Sequence, residues 1–156
     1  MCEAHVPTCH NVRNVEVSLV RRRVKSTIDA ARNRAQQRRQ ENAAAEQAYQ
    51  AFLQNIAVPV TRMVASALKA ESYAFTVFTP GGGLRLDSDR GRDDYIEFAL
   101  DTAAAHPQVI GRISRTRGSR TMSEERPVRD GASPEQLTEE DVLAFLLETL
   151  DRWLER

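Results

Sequence analysis

Apolar residues recur at steps of three and four from about Val12 to Ser72, the spacing that keeps them on one stripe of an α-helix. From Val24 the stripe reads Val24, Ile28, Ala31, Ala35, Arg38, Asn42, Ala45, Tyr49, Phe52 and Ile56. Its first part is small and interrupted by Arg38 and Asn42. Its last part is large, with Leu53 beside Tyr49, Phe52 and Ile56. Large side chains are expected in a domain core, whereas a small, partly polar seam suits close approach of another helix. At ~1.5 Å per residue the unbroken part, Asn14 to Ile56, is about 65 Å long. A compact domain built from the remaining residues is only about 30–40 Å across. Much of the helix is therefore expected to leave its own core. Upstream, Asn11–Val20 mixes strand alternation with helical spacing, and its β-branched residues argue against extending the helix before about Asn14.

Pro59 breaks the rhythm. Proline removes an intrahelical donor and clashes with the preceding turn, so a kink or restart is predicted near Ala57–Pro59. Val60, Met63, Val64, Ala67 and Leu68 then mark a second amphipathic helix. From Tyr73 the period shortens to two. The aromatic and β-branched run Tyr73–Thr79 predicts a strand, Pro80–Gly83 a turn, and Leu84–Leu86 a second strand. Ile96, Phe98 and Leu100 alternate with Glu97, Ala99 and Asp101, and Val109–Ile113 alternates again up to a turn at Arg117–Ser119. A last strand is expected over Arg120–Val128. The pattern is an antiparallel meander of four or five strands, one face apolar and one wet. Thr138 with Asp141 reads as a capping box, with Leu137 and Val142 as a hydrophobic staple. The following helix presents an apolar surface of leucines with Phe145 and Trp153, broader than one sheet face needs. Trp153 is either a core plug or part of an interface.

The charges balance at 22 basic and 22 acidic, but unevenly along the chain. Residues 1–72 carry a net +5 and residues 73–156 a net −5. That dipole favours association of unlike halves or contact of a basic arm with an anionic partner. Lys25 and Lys69 are the only lysines, so 20 of the 22 basic residues are arginine, as GC-rich bacterial coding produces. No run of 18 apolar residues occurs, and Met1–His10 lacks the zones of a signal peptide, so a cytoplasmic protein without a membrane partner is expected.

Candidate chemistry is sparse. Cys2, His5, Cys9 and His10 offer soft-metal ligands, but zinc usually takes two well-separated pairs and none follows downstream. Asp87, Asp89, Asp93 and Asp94 miss the calcium-loop pattern: counted from Asp87, position five is Gly91 and position twelve is Phe98. Gly81–Gly83 leads into a strand rather than a helix and no lysine follows, which excludes a P-loop. A Ser-His-Asp site would depend on His106 beside Pro107. No catalytic residue, cofactor or metal is predicted.

The expected architecture is α+β: a long N-terminal helix kinked near Pro59, an antiparallel four- to five-stranded meander, and a C-terminal amphipathic helix packed on the sheet. Residues 1–13 are read as a flexible leader, 14–56 as a helical arm with coiled-coil character, and 57–156 as a small α+β domain. The function this favours is protein–protein interaction, as a homo-oligomeric scaffold, adaptor or accessory subunit of a bacterial complex. The interaction seam is predicted along Ile28, Ala31, Ala35, Arg38, Asn42, Ala45 and Tyr49. In a parallel pair Arg34 would face Arg39 and Glu41 would face Glu46; an antiparallel pair centred near Asn42 brings Arg39 toward Glu46 instead. Folding back as a solvated helix is the alternative for this arm. The second functional reading is a nucleic-acid-binding accessory protein, with Arg21, Lys25, Arg32 and Arg39 as the row contacting phosphates.

Overall fold

The computed structural model describes residues 16–155. The proposed leader, with Cys2, His5, Cys9 and His10, lies outside the described residues. The chain divides into two units, residues 1–38 and 39–156, with the boundary inside helix α1 (Val17–Phe52). A five-residue π turn, Leu53–Ala57, follows α1 directly and leads into α2 (Val58–Ala70). The proline thus takes effect one turn earlier than its own position. Pro59 cannot donate, and its ring crowds the carbonyl four residues back, at Asn55. The backbone widens there: Val58 N–H donates to the Leu53 carbonyl, five residues away.

Five strands follow as an antiparallel meander in the order β1-β2-β3-β4-β5. They are β1 (Phe75–Phe78), β2 (Leu84–Ser88), β3 (Tyr95–Asp101), β4 (Gln108–Arg117) and β5 (Arg120–Pro127). Pro80–Gly83 closes the first hairpin. Gly83 N–H donates to the Pro80 carbonyl at 2.7 Å, and both central residues, Gly81 and Gly82, have positive φ of 44° and 86°. That conformation is open to glycine at little cost and matches the twist of the paired strands.

Alternation sorts the sheet into two faces. Leu84, Leu86, Ile96, Phe98, Val109 and Ile113 point to the core with Tyr49, Phe52, Leu53 and the helices α2 and α3 (Glu139–Leu154). The opposite face carries a cross-strand row of alternating sign, Arg85, Glu97, Arg112 and Glu125. Arg112 and Glu125 are ion-paired at 2.9 Å. Arg85 pairs with Asp87 and stacks on Tyr95, 3.7 Å from the ring centroid.

Helix α3 starts where the capping box places it. Thr138 N–H donates to Asp141 Oδ2 at 2.8 Å, and Asp141 N–H donates back to Thr138 Oγ1 at 3.3 Å. Burial pushes the Asp141 carboxyl up. The Thr138 hydrogen bonds and the Arg129 guanidinium, 2.8 Å away, outweigh that effect and hold it below its ordinary 3.8. Leu137 and Val142 flank the cap and are both buried in the core. The helix reaches the sheet through Phe145, whose ring lies over Gly111 of β4. A Cβ at Gly111 would come within 2.1 Å of that ring. Arg126 of β5 stacks on Phe145 at 4.4 Å, while its Nη2 donates to Thr149 Oγ1 at 2.8 Å.

Two stability changes follow. Gly111→Ala should destabilise the domain by about 1–3 kcal/mol, because backbone and an aromatic ring must separate; the midpoint of urea unfolding measures it. Thr61 of α2 is fully buried, and its hydroxyl has no hydrogen-bond partner. Thr61→Val should therefore raise stability by about 1 kcal/mol, read as an increase in melting temperature.

Candidate functional site

Every residue from Val17 to Arg38 is exposed. Isolated exposed apolar residues are ordinary, but here they are ordered. Val17, Val20, Val24 and Ile28 fall within an arc of about 80° on a helix of ~3.6 residues per turn, and Ala31 and Ala35 continue it. Val24 is 51% and Ile28 44% exposed. Basic side chains border this stripe on both sides. Arg21, Lys25 and Arg32 run along one edge, and Arg23 and Arg34 along the other. Among the described residues, none of the five is in an ion pair. From Val17 to Arg39 there are eight basic residues and one acidic residue, Asp29. Arg39, the first residue of the second unit, is also exposed.

The seam read from periodicity divides between two environments. Ile28, Ala31, Ala35 and Arg38 are exposed and Asn42 is half-buried, whereas Ala45 and Tyr49 are buried in the chain's own core. Tyr49 stacks near Phe52, with ring centroids 6.4 Å apart, and donates its hydroxyl to the Phe98 carbonyl at 2.8 Å. Burial, with Glu97 adding to it and Arg112 opposing, pushes the Tyr49 phenol up to about 12. The part of the predicted seam that is exposed is the stretch up to Arg38, with part of Asn42.

Groups read from the sequence as candidate ligands are engaged locally. Asp94 accepts from Thr116 N–H at 2.6 Å, Asp89 accepts from the Thr76 hydroxyl at 2.9 Å, and Asp87 pairs with Arg85. His106 is exposed at the rim of a shallow hollow beside Pro107 and Ala132. Among the described residues, no three His, Cys, Asp or Glu side chains converge as a metal site.

Two concavities were not legible in the sequence. A cleft of about 460 Å³ is walled by Tyr73, Phe75 and Trp153, with Arg90, Arg115 and Arg117 at its edges. Trp153 stacks on Phe75 there, centroids 6.1 Å apart, and is half-buried against the core. The larger feature is an apolar groove of about 710 Å³ between α2 and α3. Met63 and Leu147 face it and are 61% and 53% exposed. Its lining includes Glu71, Glu139, Glu140 and Asp151 and no basic side chain. The signal that could have found it was the excess width of apolar surface on α3, through Leu143, Leu147 and Leu154. The continuous helix Val17–Ala70 also has a stretch long and apolar enough to cross a membrane. Of that stretch 39% is buried, including Phe52, Leu53, Ala57, Val60 and Val64.

The Tyr49 phenol sets a pH dependence. Between its unfolded value, near 10, and its folded value, about 12, the native state holds a proton that the unfolded state has lost. Stability should be full below pH 10 and decline as pH rises toward 12, by up to about 2–3 kcal/mol. In Tyr49→Phe this contribution should vanish, after a pH-independent loss of about 1 kcal/mol for the missing hydrogen bond; urea titrations from pH 8 to 11 measure both. Comparison with protein-family models, curated proteins and solved structures finds no match to this chain.

Proposed function

We propose that this chain is a protein–protein interaction module: a homo-oligomeric scaffold, adaptor or accessory subunit whose helical arm is covered by another protein molecule. The observation that carries this reading is the exposed stripe Val17, Val20, Val24 and Ile28, ordered along one helix face. A helix in isolation gains little from such a stripe in water. Burying each large aliphatic side chain contributes about 1.5–3 kcal/mol, which favours a bound state. The division of labour along α1 supports it further, since large side chains beyond Asn42 serve the core and leave the earlier face free.

Light scattering of the full chain is the test. It should report an oligomer that persists between about 0.1 and 0.5 M salt, with its dissociation constant rising no more than several-fold as charge attraction is screened. Val24→Asp combined with Ile28→Asp should reduce the mass to that of a monomer whose sheet domain still unfolds cooperatively, since both positions are exposed. A wild-type monomer at all accessible concentrations would end the homo-oligomeric form of the proposal.

One observation favours a second reading, a nucleic-acid-binding accessory protein. Arg21, Lys25 and Arg32 share an edge of the arm and have no carboxylate partner among the described residues. Such a row suits phosphates and carries no base-reading chemistry. Under this reading a monomer binds random-sequence DNA or RNA with steep salt dependence. Arg32→Ala with Arg39→Ala then lowers the slope of log K against log salt by about 2 for duplex DNA. Fluorescence anisotropy of a labelled oligonucleotide separates the two readings.

A further inference from the structure

We infer that the arm of one copy of this chain lies in the α2/α3 groove of a second copy, a contact that deepens the interaction reading and rests on it. The groove is an apolar trough whose lining carries four carboxylates and no base. The arm is its counterpart, an apolar stripe with basic side chains on both edges and a single acid, Asp29, among eight bases. The lengths also agree. The stripe from Val17 to Ile28 covers about 16 Å of helix, and α3, one wall of the groove, is 16 residues or about 24 Å long. Carboxylates stand at both ends of that wall, Glu139 and Glu140 in its first turn and Asp151 in its last. A helix bordered by Arg and Lys therefore meets opposite charge at either end of the trough, in the helix-in-groove mode of recognition.

Arm-to-arm pairing lacks this complementarity. Over Val17–Arg39 it would set eight bases of one arm against eight of another, with only the two Asp29 carboxylates among them, and the antiparallel register centred near Asn42 adds only the approach of Arg39 to Glu46. Because arm and groove are different surfaces on one polypeptide, two copies can exchange arms reciprocally. The resulting closed dimer buries two such contacts.

The test uses three full-length proteins: wild type, Ile28→Asp in the arm and Leu147→Asp in the groove. Both substituted side chains are exposed, and a melting curve for each variant confirms its fold. Sedimentation velocity should show a wild-type dimer and, for each variant alone, a dissociation constant raised by about a hundredfold. An equimolar mixture of the two variants should regain dimer. The intact arm of the Leu147→Asp chain then meets the intact groove of the Ile28→Asp chain. Met63→Asp, on the opposite wall, should behave as Leu147→Asp does, and Leu147→Met should remain dimeric.

A dimer that survives both Leu147→Asp and Met63→Asp but not Ile28→Asp overturns the groove contact and leaves the arm as an interface. Loss of dimer in both variants without recovery on mixing means that arm and groove do not meet across two copies, and likewise overturns it. A wild-type monomer that binds duplex DNA through the arm sinks both this inference and the interaction reading beneath it.

Discussion

The burial of Tyr49, Phe52 and Leu53 against the sheet is the constraint on which the second unit depends. These three side chains carry the last turns of α1 into the core formed by Leu84, Leu86, Ile96 and Phe98. The Tyr49 hydroxyl adds a directional bond to the β3 backbone. At about 1.5–3 kcal/mol per large side chain, this burial outweighs the weak intrinsic preference of a helix for any one environment. It therefore decides which part of a uniform helical repeat belongs to the domain. The described residues before Asn42 are exposed in the single chain.

The same apolar demand shapes the middle of the helix. Pro59 would break an ordinary α-helix, yet Ala57, Val60 and Val64 are core residues on both sides of it. The π turn keeps the chain helical through the proline and lets both flanks stay buried. On the same core face of the sheet, the β4 backbone meets the ring of Phe145, for which Gly111 leaves room. Arg126 then covers that ring with its guanidinium, while Glu124 and Glu148 lie nearby. A charged residue on the core face of β5 is thus stabilised by an aromatic face and a hydroxyl rather than by apolar neighbours.

Local signals made most of the fold legible. The Thr138–Asp141 box, the Pro80–Gly83 turn and the alternation of Ile96, Phe98 and Leu100 each depend on neighbours in sequence, and each appears where its pattern put it. The π turn was legible only as a disturbance, because proline acts on a carbonyl one turn before it. Periodicity could not say where the chain's own core ends. Tyr49 and Ile28 share one stripe, and only side-chain size hinted that the first is covered and the second is not. The inward position of Arg126 was hidden because Met122, Glu124 and Arg126 do not read as an apolar face. The groove was hidden for a different reason: it exists only where α2 and α3 meet, and neither helix records the other's distance.

The sheet's two borders bear on how this molecule can meet others. β1 is four residues long and runs into Pro80, while β5 offers Arg120, Glu124, Glu125, Arg126 and finally Pro127. The short length of β1, the charged side chains along β5 and prolines without donors all discourage a foreign strand from extending the ladder. Growth by edge-to-edge hydrogen bonding, the common route from small sheets to fibres, is thereby obstructed at either margin. Contact through helices carries no such impediment, so the meander contributes a solubility safeguard as well as a scaffold.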